Sequence, residues 1–280
     1  MAKIAVPVHE PTSVSHRVAA IGKFARYKPE DGTIQREMEV KKDARLERLL
    51  GAWRRYRDIT KDIRFEFFTE DAPAAHSFAY EMIQSGGYGQ KQVAKFCIVV
   101  AHEIENKTVL PLEIFLSALI NRSERKSFEI PLHLFAQGSG KYTGRLSVAI
   151  LNMKKVVFHG DVDYIGKMMK GGLAVINGDA HAIIGEMMEG GSIELNGNVL
   201  VTDADRFSSI IGARMSGGRI IIRGDVKIDS ASIESGGTPR IGGGMTVGEI
   251  HLDGDPPHSF DFSRLVHGRI FHRGKLIVDK

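Results

Sequence analysis

One cysteine, one tryptophan and nine prolines are scattered through 280 residues, and each scarcity closes off a class of protein. With Cys97 alone, an intramolecular disulfide is impossible and a thiolate metal cluster lacks ligands. Long apolar runs are missing too. The longest, Phe96–Ala101, is far shorter than the roughly 20 residues a membrane-spanning helix requires. The opening MAKIAVPVHEP has no charged run leading into an apolar stretch, so no secretory signal is read and the expected location is cytoplasmic. Charge of one sign is equally absent. Lys and Arg number 38 against 34 Asp and Glu, divided as 21 against 18 before residue 137 and 17 against 16 after it. Neither half has the basic footprint of a nucleic-acid binder. Nucleic acid and membrane are therefore not expected partners.

Glycine is abundant but uneven: six of the 31 lie before residue 137 and 25 after it. That shift and the turn-like AQGSGKYTG mark a boundary, with an α+β domain over 1–136 and a repeat domain over 137–280. In the first, Val18–Tyr27 and Thr33–Val40 flank a hairpin signal at Asp31-Gly32. Asp43 precedes a helical stripe of Leu46, Leu49, Leu50, Trp53 and Tyr56. Ile63, Phe65 and Phe67 alternate as a strand. Asp71 suits an N-cap and Pro73 a first turn, of a helix expected to stop at Gly86-Gly87. Lys95–Ala101 reads equally as strand or helix. Leu112, Phe115, Leu116, Leu119 and Ile120 form a second helical stripe, and Phe128, Ile130, Leu132 and Leu134 alternate as a strand.

Chemical motifs in this part are weak. His102-Glu103 opens like a zinc-binding HExxH, but Asn106 stands where the second histidine must be, so no metal site is expected. Arg54, Arg55 and Arg57 could touch an acidic partner, but a solvated helix face is the favoured reading of them. Cys97 reads as a buried, inert thiol.

From residue 165 onward the chain repeats. IGKMMKGGLAVINGDA (165–180), IGEMMEGGSIELNGNV (184–199), IGARMSGGRIIIRGDV (211–226) and IGGGMTVGEIHLDGDP (241–256) align without gaps, with weaker copies at each end. The recurring glycines are Gly166, Gly171, Gly172 and Gly178; Gly185, Gly190, Gly191 and Gly197; Gly212, Gly217, Gly218 and Gly224; and Gly242, Gly248 and Gly254. Each unit has room for one short strand. Val156, Ala174, Ile193, Ile220, Ile250 and Ile270 form one inward column, and Phe158, Ile176, Leu195, Ile222, Leu252 and His272 a second. The Met169, Met188, Met215 and Met245 column reads as core filler rather than a soft-metal site. Between the inward columns lie Val157, Val175, Glu194, Ile221, His251 and Phe271. The apolar four (Val157, Val175, Ile221 and Phe271) predict a docking strip. Insertions over 199–209 and 227–240 leave one corner, where Asp203, Asp205 and Arg206 are the polar residues of interest.

These units resemble the GXGXG-type β-helix found as the C-terminal domain of the glutamate synthase large subunit and in the β-helical component of formylmethanofuran dehydrogenase. The similarity covers about half the chain. It implies a right-handed, single-stranded parallel β-helix of about six turns, placed beside catalytic domains and contributing no catalytic residue or cofactor. The leading functional expectation is thus a non-catalytic scaffold, or a subunit of a redox or amidotransferase-type complex, using the β-helix as a docking stem for a protein partner or a second copy. Two alternatives remain. One is an enzyme with its site at the domain junction, drawing on His102, Glu103, His181, Asp203 and Asp205. The other is a binder of anionic ligands or nucleic acid through Arg54, Arg55 and Arg57.

Overall fold

The computed structural model describes residues 43–61, 71–84, 87–104, 109–136, 145–181, 183–201, 209–228, 240–255 and 260–280. From Asp43 to Lys280 the chain forms one compact unit. The expected hairpin over 18–40, the strand over 63–67, and Asp203, Asp205 and Arg206 lie outside the described residues.

Among the described residues, four helices precede the first strand and a fifth follows it. They are α1 (Ala44–Thr60), α2 (Asp71–Met82), α3 (Gln90–Glu103), α4 (Val109–Arg122) and the single turn α5 (His133–Ala136). Asp43 caps α1, accepting the Leu46 N–H at 3.2 Å. The α1 stripe meets α3 and α4 in an aromatic cluster: Phe115 lies 5.4 Å from both Trp53 and Tyr56 and 5.7 Å from Phe96, ring centre to ring centre. The ambiguous 95–101 segment is helical. Its buried residues, Val93, Phe96, Cys97, Val100 and Ala101, follow the 3, 4, 7, 8 spacing of one helix face. Helix α2 ends at Met82, short of the predicted stop. Among the described residues no helix is long and apolar enough to cross a membrane.

The strands are β1 (Ser127–Pro131), β2 (Leu146–Val148), β3 (Lys155–His159), β4 (Val162–Ile165), β5 (Leu173–Asn177), β6 (Ser192–Leu195), β7 (Val199–Val201), β8 (Arg219–Ile222), β9 (Val226–Ile228), β10 (Glu249–Leu252), β11 (Arg269–His272) and β12 (Lys275–Asp279). Eight form one sheet in the order β1-β3-β5-β6-β8-β10-β11-β12, while β2-β4 and β7-β9 make two small sheets. All large-sheet pairs are parallel except β11–β12.

This arrangement corrects the expected architecture. The described residues form an α/β fold, a mixed and mostly parallel eight-stranded sheet with five helices, and a β-helix of six turns is not shown. The sheet begins before residue 137, because β1 pairs with β3 and sets Phe128 and Ile130 beside Val156 and Phe158. It closes on a hairpin in which Arg273 and Gly274 both take positive φ, as a tight two-residue turn requires. The strand expected to continue through Leu134 stops at Pro131, and the Phe135 N–H bonds back to the Leu132 carbonyl to start α5.

Within the sheet the repeat columns hold residue for residue: Ala174 pairs with Ile193, Ile193 with Ile220 and Ile220 with Ile250. Both inward columns are buried apart from His272, and the Met column is buried with them in the same core. The last glycine of each unit fixes how closely successive units approach. A Cβ on Gly197 would lie 2.2 Å from the Gly178 carbonyl oxygen, and one on Gly224 2.4 Å from that of Gly197. The residue after this glycine locks the spacing. Asp179 donates its N–H to the Asp161 carboxylate, Asn198 to Asp179, Asp225 to the Asn198 amide oxygen and Asp255 to Asp225, at 2.7–3.0 Å. The recurring Asp/Asn is therefore a backbone clamp.

Two alanine substitutions separate packing from propensity. Gly197→Ala forces two backbones apart and is expected to lower stability by at least about 2 kcal/mol. Gly51→Ala, inside α1 with nothing beyond its chain neighbours and the helix's own backbone within 4 Å of the added methyl group, is expected to raise it by about 0.5–1 kcal/mol. Urea denaturation midpoints check both, and a neutral Gly197→Ala would refute the close approach.

Candidate functional site

The polar groups gather where α4 meets the repeat. Helix α4 is apolar on nearly every side, yet Glu113, Ser117 and Asn121 recur at four-residue intervals and so share one face. All three bind backbone of the 147–153 segment. Ser147 donates its N–H to the Glu113 carboxyl at 2.6 Å, and the Ser117 hydroxyl donates to the Ile150 carbonyl. Asn121 donates its amide to the Leu151 carbonyl at 2.9 Å and accepts the Met153 N–H at 3.1 Å. Its amide nitrogen also lies 3.1 Å from His76 Nε2 on α2, where burial pushes the imidazole down to about 4 and keeps it neutral.

Around Glu113 the electrostatics depart from those of solvated groups. Burial, with a smaller contribution from Asp163, pushes its carboxyl up to about 8, so it is a neutral acid at pH 7. Burial raises the Asp163 carboxyl and the Tyr164 hydroxyl, and lowers the His181 imidazole, which also feels Arg145. One unit further, Lys167 and Glu186 occupy equivalent positions in successive repeats and form an ion pair at 3.3 Å, both nearly inaccessible. Burial lowers the Lys167 ammonium against the pull of Glu186, whose second oxygen accepts from Arg214 at 2.5 Å. A neutral acid, a neutral imidazole and a paired lysine are components of proton-transfer chemistry. Here Glu113 holds a backbone N–H and Lys167 a carboxylate. Among the described residues, no group of three or more His, Cys, Asp or Glu side chains is placed to hold a metal ion.

Among the described residues, those singled out from sequence have separate surroundings. His102 is exposed on the last turn of α3, and Glu103 is held by Arg54 at 2.7 Å and Arg57 at 3.7 Å. His181 is half-buried, and the charges acting on it are Arg145, Asp161, Asp163 and Asp179. Cys97 is fully buried, its thiol pushed up to about 12. Sequence reading missed Glu113, Asp163, Tyr164, Lys167 and Glu186. Legible signals existed for two kinds of them: an acid inside an apolar helix, and opposite charges after Ile-Gly in adjacent repeats.

The residues of the expected docking strip stand in one column of the sheet. Glu129, Val157, Val175, Glu194, Ile221, His251 and Phe271 pair in sequence across the sheet, and Val157, Val175, Ile221 and Phe271 are half-buried. His251 stacks on Phe271 at 4.4 Å, and beside them Glu249 binds Arg219, Arg269 and His251. These partners hold the Glu249 carboxyl below the usual range, with the His251 hydrogen bond the largest cause.

Comparison of the chain with protein-family models, curated proteins and solved structures finds no match.

The raised Glu113 value has a definite sign. Between its ordinary value of 4.5 and about 8, the folded chain binds more protons than the unfolded chain, so stability falls as pH rises through that interval. Glu113→Gln keeps a carbonyl for the Ser147 N–H and has no proton to lose. The wild-type melting temperature is expected to decline relative to that of the variant from about pH 5 to about pH 8. Parallel pH profiles would show that the carboxyl ionises as it does in water.

Proposed function

We propose that this chain is a non-catalytic scaffold whose parallel sheet docks protein surface along the strip Val157, Val175, Ile221 and Phe271, and that the first occupant is a second copy of the chain. The supporting observation is the order of residues along that column. A two-fold axis at Ile221 sets Ile221 against itself, Val175 against the partner copy's Phe271, and Glu194 against the partner copy's His251. Apolar residues meet apolar ones and a carboxylate meets an imidazole, which is the self-complementarity a two-fold interface requires. Glu113 is also committed to a backbone N–H, and Glu103, Lys167 and Glu186 to ion pairs, which favours a structural role for these groups over a catalytic one.

Ile221→Arg places two like charges on the axis. It is expected to raise the dimer dissociation constant by about tenfold to a hundredfold while leaving the fold intact. Glu194→Arg alone is expected to weaken the dimer, and Glu194→Arg with His251→Glu to restore part of the loss. Analytical ultracentrifugation reads all three. A wild-type chain that stays monomeric up to about 100 μM, a mid-range affinity, overturns self-docking.

A further inference from the structure

Helix α1 has glycine at position 51, well inside its seventeen residues, and beyond its chain neighbours and the helix's own backbone no atom lies within 4 Å of where a Cβ would stand. The room above it is part of a cleft of about 350 Å³. That volume lies within the roughly 300–1,000 Å³ usual for small-ligand sites. Gly51, Ala52, Met82 and Tyr88 give the cleft apolar walls, and Arg48 and Arg55 stand on the same lining. Seven residues apart, these two arginines are on one side of the helix, about 10 Å apart along its axis.

Beyond Arg45 in its first turn, the arginines of α1 divide into two groups. Arg54 and Arg57 are held by Glu103 on the neighbouring helix. Arg48 and Arg55 are exposed and form no ion pair or side-chain hydrogen bond among the described residues. Glu47 shares the lining, which leaves one positive charge in excess. A guanidinium presents parallel N–H donors that match the two oxygens of a carboxylate or phosphate.

We infer that this cleft binds a small amphipathic anion, with its apolar body lying over Gly51 and its carboxylate or phosphate head held by Arg48 or Arg55. The site lies on α1 and is independent of the docking strip.

Isothermal titration calorimetry of the full chain with octanoate, octyl phosphate and inorganic phosphate tests it. Binding of at least one of the two amphiphiles at a single site is expected, with inorganic phosphate weaker than octyl phosphate by about tenfold or more. Whichever amphiphile binds tighter identifies the head group as carboxylate or phosphoester. The Arg48→Gln, Arg55→Gln double variant is expected to weaken binding by about tenfold or more. Gly51→Leu, which fills the open space, is expected to abolish it with an unchanged far-UV circular dichroism spectrum. Ala52→Leu, from the same wall, is the second variant should Gly51→Leu unfold. No binding of either amphiphile up to about 1 mM, affinity unchanged in the arginine or wall variants, or inorganic phosphate as tight as octyl phosphate would each overturn the site.

Discussion

Close backbone approach at the unit-ending glycines is the constraint on which the sheet depends. With Gly178, Gly197, Gly224 and Gly254 each set against the carbonyl of the unit before, successive units are held at one spacing. The Asp161-to-Asp255 clamp then fixes each unit on the next through a backbone N–H. Once spacing and register are set at that corner, the strands that lead into it pair without offset. Side chains alternate with period two, so a shift of one residue would turn both inward columns out into solvent. The buried columns, the Met column and the outer strip are thus consequences of one repeated contact.

A parallel stack leaves two open edges, each a row of unpaired backbone groups. The first and last repeat strands are each covered by a further strand, by different means. At the start, β1 pairs with β3, and the polar face of α4 serves the 147–153 segment through Glu113, Ser117 and Asn121. At the end, the chain reverses through Arg273-Gly274 and covers β11 with its own last strand. The first closure also joins helices to sheet, so the two regions with contrasting glycine content share one core. A carboxylic acid that is neutral near pH 7 suits such a junction. It accepts a backbone N–H without placing a bare charge between apolar layers.

Much of this was legible in the chain. The α1 and α4 stripes, the repeat glycines and both inward columns follow from spacing alone. The architecture built on them was not. In-register columns are produced by any stack of short parallel strands, and a repeat describes contacts between like units rather than what lies beyond the first and last. β1 and β12 sit beyond: β1 carries the parallel sheet into the helical region, and β12, the one antiparallel strand, makes the sheet mixed. The surroundings of the candidate residues were hidden for a related reason. His102, Glu103 and His181 were chosen for residue type, whereas their roles depend on neighbours distant in sequence, such as Arg54 for Glu103 and Asp163 for His181. The arginine run over 54–57 could not reveal that Glu103 engages Arg54 and Arg57 while Arg55 faces the cleft.

Near-identical units raise a further problem, because a stack that skips or exchanges a unit still buries the same isoleucines. Only features that differ between units can select the native order. The Ile-Gly corner supplies one. Its following position holds Lys167, then Glu186, then Ala213 and Gly243, and only the first two are opposite in charge. Set against Ala213 instead, the Lys167 ammonium would remain buried without its carboxylate, and an unpaired buried charge is strongly destabilising. The pair itself adds little net stability, since desolvation of both groups offsets most of their attraction. Its consequence is order. Arg214, reaching Glu186 from the next unit, extends the same discrimination by one step, and thereby helps place Glu194, Ile221 and His251 in the sequence that the outer strip displays.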